Sequence, residues 1–263
     1  MLVLMGEQLV KQSGYIHMHA FELKGRHINT LLALWNTQGL TPATVKNRLA
    51  VLRWWADKVS NPGTLKPTNA HYGIAKRQTV TKVSKTRDLP PDKLDRVRNA
   101  HVRMSLELQR ACGLRREGSL KIKPHQADHG DILVLQASWT KGGRPREIPI
   151  LTTAQREVVD RAKALVRFKE ASLIPRHLSY KQQLGAYVGH CRRAGLDHMH
   201  GLRHAYAQQR FEELAGFACP AAGGPHRQAL TPEQREADYD ARLVVSAELG
   251  HVREAITAVY LGR

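Results

Sequence analysis

The sequence predicts a mostly helical protein with a small antiparallel β-sheet, divided into a short helical domain and a larger α+β domain. Apolar residues recur at helical spacing over most of the 263 residues. One pair of short apolar segments flanks a glycine-containing turn, which is typical of a β-hairpin. A polar, basic stretch without periodicity separates the two groups of helices. We therefore predict domains at 1–75 and 92–263, joined by a basic linker at 76–91.

The first domain shows helical spacing over 28–35, and Gly39 ends that segment. Thr41 and Pro42 predict the start of the next helix, because a hydroxyl cap followed by proline suits a first turn. Its apolar stripe consists of Val45, Leu49, Leu52, Trp55 and Val59. Three basic residues project from other faces and are candidates for contact with phosphates: Lys46, Arg48 and Arg53. A basic face that is merely solvated is the alternative.

Asn61-Pro62-Gly63 ends that helix, and the chain then becomes polar and rich in turns. We interpret this stretch as the linker, and its basic side chains are further candidates for contact with phosphates: Lys76, Arg77, Lys82 and Lys85. Simple solvation of an exposed loop explains these charges about as well.

The second domain begins with a helix capped at Asp92 that ends near Gly113. Two strands follow, at 132–135 and 146–150. Further helices are predicted at 153–168, 179–194, 201–215, 241–250 and 253–261. The intervening segment 216–238 contains glycine, proline and polar residues with no period, so we interpret it as a surface insertion.

The chain carries a formal net charge of +18, shared equally between residues 1–88 and residues 89–263. Basic charge in both halves predicts that both bind one long polyanion, namely nucleic acid. A membrane surface is a weaker candidate, because no amphipathic basic helix stands out. No apolar segment is long enough to span a bilayer, and no signal peptide is evident.

Cysteine and histidine usage gives little sign of disulfides or metals. Cys112, Cys191 and Cys219 are far apart and lack CxxC spacing, which predicts reduced thiols in a cytoplasmic protein. His198, His200 and His204 could pair on one element, but no carboxylate or cysteine cluster completes a metal shell. We predict neither a metal nor a cofactor.

Six residues along the chain fit metal-independent cleavage of a phosphodiester. Tyr260 is a candidate nucleophile. Arg115 and Arg203 offer planar paired donors for the non-bridging oxygens. Lys141, in a Lys-Gly-Gly turn, could protonate the leaving oxygen, and two histidines could donate or carry protons: His200 and His251. Each residue alone has an ordinary structural explanation, and only the combination favours catalysis.

In their order and setting these residues resemble the tyrosine recombinases, the phage integrase family. The chain has an arginine in Gly113-Leu114-Arg115, a hairpin lysine, His200-Gly201-Leu202-Arg203, and Leu249-Gly250-His251 before Tyr260. The resemblance covers about 90–263, and 41–59 resembles the helical core-binding domain more weakly. Within the family the chain is most similar to integrase-domain proteins of mobile bacterial elements.

The resemblance implies two lobes that clamp double-stranded DNA and a site-specific reaction through a 3′-phosphotyrosine. It implies a homotetramer on synapsed DNA, a monomer or weak oligomer when free, and a bacterial, nucleoid-associated location. An accessory DNA-bending protein is a further partner that it allows. Three alternatives remain: a type IB topoisomerase-like relaxing enzyme, a DNA-binding regulator with a decayed site, and a metal-dependent nuclease.

Three features depart from the family pattern. An acidic residue often follows the first arginine by three positions, but that position is Gly118, and Glu117 lies one residue earlier. The stretch between Arg203 and His251 is long. Only three residues follow Tyr260, where relatives carry a docking segment, and no arm-binding domain precedes the first helix. We therefore expect either that another element, such as 216–238, links protomers or that the assembly is weak.

Overall fold

A computed structural model describes residues 1–76, 80–81, 83–140, 142–251 and 253–263. The chain forms two compact units, Met1–Gln78 and Thr79–Arg263. Within the described part of the chain the protein is mostly helical, and its sheet has two antiparallel strands. No described helix combines the length and apolar character needed to cross a membrane.

In its described residues the first unit contains three α-helices, α1 Leu2–Ser13, α2 Gly25–Thr37 and α3 Pro42–Lys58. Their apolar faces form one core whose buried members are Met5, Leu9, Leu23, Ile28, Leu31, Trp35, Val45, Leu49, Leu52, Ala56 and Leu65. The predicted start of α3 is confirmed, because Thr41 Oγ1 accepts a hydrogen bond from the Thr44 N–H at 3.3 Å. Trp55 is only partly buried.

The second unit contains nine helices in its described residues, and two strands. The helices are α4 Pro91–Asp95, α5 Ala100–Cys112, α6 Arg116–Lys121, α7 Pro124–Ala127, α8 Thr153–Leu165, α9 Tyr180–Arg193, α10 Gly201–Ala215, α11 Pro232–Glu248 and α12 Ala258–Leu261. The strands are β1 Ile132–Leu135 and β2 Arg146–Pro149, paired in the register Leu133 to Ile148 and Leu135 to Arg146. Packing of α5, α8, α10 and α11 forms the main core.

The single helix predicted from Asp92 to Gly113 is two helices, α4 and α5. The chain turns between them so that Val97 becomes buried. Asn99 then adopts an extended conformation, and its Oδ1 accepts from the Val102 N–H at 3.0 Å. This cap starts a new helix, because it satisfies a backbone donor that the first turn leaves free.

The prediction that 216–238 is a surface insertion is wrong in part, since α11 begins inside it at Pro232. Thr231 Oγ1 caps the Gln234 N–H, and the Gln234 side chain accepts from the Thr231 N–H. The preceding residues also pack inward, because Cys219, Ala221 and Leu230 are buried. Their lack of periodicity reflects short 3₁₀ turns rather than exposure.

The last predicted helix, 253–261, is shorter than its pattern indicated. Glu254–Thr257 forms a 3₁₀ turn, and α12 occupies only Ala258–Leu261. Thr257 Oγ1 donates to the Glu254 carbonyl at 2.5 Å. A hydroxyl that bonds to a nearby carbonyl competes with regular helical bonding, which accounts for the irregular first turn.

The segment predicted as a linker packs on the second unit over much of its described length. The Thr81 N–H donates to the Ala258 carbonyl at 3.2 Å, and the Arg87 N–H donates to the Gly201 carbonyl at 3.1 Å. Ser84 Oγ donates to Gln208 Oε1 at 3.0 Å. These bonds attach the segment to α12 and α10, so it supports the second unit rather than only connecting two units.

Gly113, at the end of α5, lets the chain pass close to α10. Its φ is +59°, and a Cβ there would lie 2.4 Å from a ring carbon of Tyr206. We expect Gly113→Ala to lower the free energy of unfolding by about 2–4 kcal/mol, through left-handed strain and overpacking together. Chemical denaturation measures this loss.

Gly216→Ala is the matched control. Gly216 also ends a helix, α10, at φ +77°, but nothing lies within 4 Å of the position of its Cβ. Gly216→Ala should therefore lower the free energy of unfolding only through left-handed strain, by about 1 kcal/mol. Equal losses for the two variants would contradict the proposed clash with Tyr206.

Candidate active site

Tyr260 lies near the end of the described chain, in the short helix α12, and its side chain is only 5% exposed. Its hydroxyl accepts a hydrogen bond from Arg203 Nε at 3.2 Å and lies 3.4 Å from His200 Nε2. The rings of His204 and His251 lie beside it, with centroids 4.5 Å and 5.5 Å from that of the tyrosine. The candidate nucleophile is therefore in contact with a cation and a potential proton acceptor.

Arg203, on α10, is more deeply buried than the other described cations of this site, at 1% exposure. Its Nη1 donates to the Gly113 carbonyl at 2.5 Å, and its Nη2 donates to the Leu249 carbonyl. The Nη2 also lies 3.5 Å from His251 Nε2. Burial lowers the pKa of Arg203 to about 10, so the guanidinium remains charged at neutral pH.

His251 is held neutral. Burial, followed by the nearby charges of Arg203, Arg115 and Arg146, lowers its pKa to about 3. Because its Nε2 faces the Arg203 guanidinium, that nitrogen is the acceptor and Nδ1 carries the proton in this arrangement. Nδ1 is buried and has no hydrogen-bond partner among the described residues. It can therefore donate to an oxygen that enters the site.

Arg115 is half-buried where α6 begins, directly after the turn at Gly113. It acts electrostatically on Arg203 and His251, which places its charge beside theirs. Glu117 pairs with Lys121 Nζ at 2.5 Å instead of supporting this arginine. Gly118 is buried, with its Cβ position 3.4 Å from the Trp139 carbonyl. Within the described chain no carboxylate is paired with Arg115.

Lys141 lies outside the described residues, but the turn around it is described. Gly142 and Gly143 have φ of +81° and +66°, a backbone conformation that favours glycine. Thr140 Oγ1 donates to the Arg144 carbonyl at 2.6 Å and closes the turn. The structure therefore gathers Tyr260, Arg115, Arg203, His200 and His251 at one site and leaves the place of Lys141 a prediction.

Two of the residues predicted to contact DNA are engaged within the first unit. Arg48 lies over the Trp35 ring, with Cζ 5.1 Å from its centroid. Arg53 donates to Asn69 Oδ1 at 2.9 Å and to the Lys66 carbonyl. The remaining candidates include Lys46, which is partly exposed, and the exposed Lys76 and Lys85, whereas Arg77 and Lys82 lie outside the described residues. Their DNA contacts stay a prediction.

Three residues at the site were missed by the sequence analysis: His204, Gln208 and Arg146. His204 follows Arg203, and burial together with His200 and Lys85 lowers its pKa to about 4. Gln208, one turn further along α10, donates to the Tyr260 carbonyl at 2.9 Å. The spacing of His204 and Gln208 from His200, at four and eight residues, was an available signal. For Arg146 the sequence held none.

In the described part of the chain no group of three or more His, Cys, Asp or Glu residues is placed to hold a metal ion.

Two family models match the chain. The model described as "Integrase" matches residues 75–209, and "Phage integrase, N-terminal" matches residues 1–61. This chain belongs to the integrase family of tyrosine recombinases. No curated protein sequence matches this integrase.

Solved structures of integrases share the fold. A lambda integrase (75–356) dimer bound to a COC′ core site matches with a TM-score of 0.59 and 18% identity, over 97% of this chain and 86% of that one. The XerH site-specific recombinase bound to palindromic difH gives 0.57 and 16%, over 100% and 74%. The Tn1549 transposon integrase in complex with circular intermediate DNA gives 0.54 and 14%, over 99% and 89%.

Two histidines of the site, His204 and His251, make the stability of this integrase depend on pH. His204 has a folded-state pKa of about 4 and His251 of about 3, both below the unfolded value of 6.5. Neutral histidine thus stabilises the fold above pH 6.5, and this contribution is lost as the pH falls toward 4. Down to pH 4.5, each histidine accounts for at most about 3 kcal/mol.

Urea denaturation between pH 7.5 and 4.5 measures the effect. His204→Asn should flatten the decline of unfolding free energy below pH 6.5, because it removes one of the two groups. His129→Asn is the control, since that histidine is exposed and its replacement should leave the slope unchanged. An unaltered slope in His204→Asn would contradict the assigned burial.

Proposed function

We propose that this integrase cleaves and rejoins duplex DNA at a specific site through a covalent bond between Tyr260 and a 3′ phosphate. The observation that carries the proposal is the placement of the Tyr260 hydroxyl between Arg203 Nε and His200 Nε2. A nucleophile needs a base within hydrogen-bond reach, and the phosphate it attacks needs positive donors. Family membership supports the same chemistry.

Groups of this chain accept and supply the two protons that move during DNA cleavage. The Tyr260 oxygen bonds to phosphorus while its proton moves to His200, and the bond to the 5′ oxygen breaks. Arg203 and Arg115 stabilise the added negative charge on the non-bridging oxygens. His251 donates a hydrogen bond from Nδ1 to one of these oxygens. Lys141 supplies the proton to the departing 5′ oxygen. The reverse reaction, by a 5′ hydroxyl, restores the phosphodiester without an external energy source.

The arrangement needs no metal or cofactor for this chemistry, because two guanidinium groups supply fixed positive charge. Solved relatives suggest the assembly: lambda integrase is described as a tetramer bound to a Holliday junction. We extend the proposal to a homotetramer on two synapsed DNA sites, formed from a monomer or weak oligomer in free solution. Its place of action would be bacterial DNA, with an accessory bending protein where the site requires one.

Covalent trapping tests the nucleophile. The protein is incubated in chelator with a library of nicked duplexes of random sequence, and adducts that resist denaturant are isolated and sequenced. We expect an adduct from the wild type and none from Tyr260→Phe, because the phenyl ring lacks the attacking oxygen. Tyr239→Phe, at an exposed tyrosine on α11, is the control and should react normally.

Other outcomes favour other functions. DNA binding with no adduct on any substrate would support the regulator, and an adduct in Tyr260→Phe would show that another residue attacks. Loss of cleavage in chelator would support the metal-dependent nuclease. Relaxation of supercoiled DNA without exchange between two recovered sites would support the topoisomerase-like enzyme.

Lys85 provides a separate test of DNA contact. It is exposed, and its charge acts on His204, so it lies beside the site. In a Tyr260→Phe background, we expect Lys85→Gln to make the slope of log affinity against log salt shallower by about 0.9, the loss of one phosphate contact. Lys169→Gln, at another exposed lysine, should leave the slope unchanged; equal slopes for both variants would remove Lys85 from the interface.

A further inference from the structure

Arg146, at the start of β2, is a buried cation whose hydrogen-bonding capacity is largely unused. Arg146 is only 7% exposed, yet its Nε and Nη2 have no hydrogen-bond partner among the described residues. Buried polar groups are almost always satisfied, and a buried charge is costly unless it is paired. An orphaned guanidinium in a core position therefore calls for a specific explanation.

A comparison within the chain separates Arg146 from a structural arginine. Arg242 is equally buried, but its Nε donates to both carboxylate oxygens of Asp238 at 2.9 Å, and its Nη1 donates to the Gly262 carbonyl at 2.9 Å. In the described part of the chain, Arg146 has no carboxylate partner. It is instead surrounded by like charge, and burial with Arg203 and Arg115 lowers its pKa to about 9.

The backbone keeps this guanidinium at the active site. A Cβ at Gly250 would lie 3.0 Å from Arg146 Cδ and 3.1 Å from Nη1, so the side chain passes directly over this glycine. Gly250 precedes His251, whose own Nδ1 is buried and unpartnered. Arg146 and His251 line one cavity of about 420 Å³, which Arg144 and Glu147 also line. Unused donors of two residues thus border the same space.

We infer that Arg146 is a further catalytic residue, a third guanidinium that binds the phosphate attacked by Tyr260. This inference rests on the proposed function. An anion between Arg115, Arg146 and Arg203 would satisfy the orphaned nitrogens and offset the repulsion among the three cations. Arg146 transfers no proton; its charge stabilises the negative charge that develops as the tyrosine oxygen adds to phosphorus.

Arg146→Met and Arg146→Lys test the assignment, with Arg161→Gln as a control for the loss of one positive charge. Arg161 is exposed and paired with Glu107. Arg146→Met keeps an apolar chain of similar length, so we expect its melting temperature to equal or exceed that of the wild type. Its rate of adduct formation should fall by about 10²–10³, and Arg146→Lys should be intermediate because it keeps charge without the planar donors.

A second measurement does not depend on DNA cleavage. In NMR spectra of arginine Nε–H groups, the signal missing from Arg146→Met identifies Arg146. Titration of the wild type with inorganic phosphate should shift this signal in a saturable manner, since Nε is free to donate. The Arg161 signal, identified in the same way from Arg161→Gln, should move far less.

The outcomes separate this inference from the proposed function. If the wild type forms no adduct, the proposed function fails, and the phosphate titration still decides whether Arg146 binds the anion. An adduct from Arg146→Met at the wild-type rate would overturn the catalytic role. An unshifted Nε signal would overturn it too, and a lowered melting temperature of Arg146→Met would then show that Arg146 only supports packing.

Discussion

The buried guanidinium of Arg203 is the interaction on which the site depends. One side chain donates to the Gly113 carbonyl at the end of α5, to the Leu249 carbonyl at the end of α11, and to the Tyr260 hydroxyl on α12. Three segments far apart in sequence are thereby fixed around one cation. Removal of a buried charge from such a network leaves several acceptors without partners, which is costly.

Around this cation the protein concentrates positive charge with little compensation. Burial, followed by the charges of Arg203, Arg115 and Arg146, lowers the pKa of His251, and burial together with Arg115 lowers that of Arg203. The carboxylate of Glu248 is close in sequence to His251 but is engaged elsewhere, by the Tyr206 hydroxyl and by Arg210. Such an arrangement destabilises the free protein, and in the proposed reaction a bound phosphate would offset this cost, so stability and function would oppose each other at this site.

The helix that carries Tyr260 is too short to be stable alone and is held by the elements around it. Thr81 bonds to Ala258, Gln208 bonds to the Tyr260 carbonyl, and Arg242 bonds to the Gly262 carbonyl. One of these contacts, that of Thr81, involves a segment that the sequence predicted only as a linker, whereas Gln208 and Arg242 lie on predicted helices. A residue interpreted as part of a connecting segment therefore helps to hold the helix of Tyr260.

The sequence by itself determined the fold class, the start of α3, the hairpin and most residues of the candidate site, because helical spacing, Thr41-Pro42 and short motifs are local signals. It also held the Thr231-Pro232-x-Gln234 signal that starts α11, which the missing periodicity before it obscured. Only the tertiary structure showed that Arg146 is buried and that its Nε and Nη2 have no partner among the described residues. Its side chain passes close to Gly250, and its neighbouring charges come from other segments. Long-range packing of like charges leaves no pattern in one sequence.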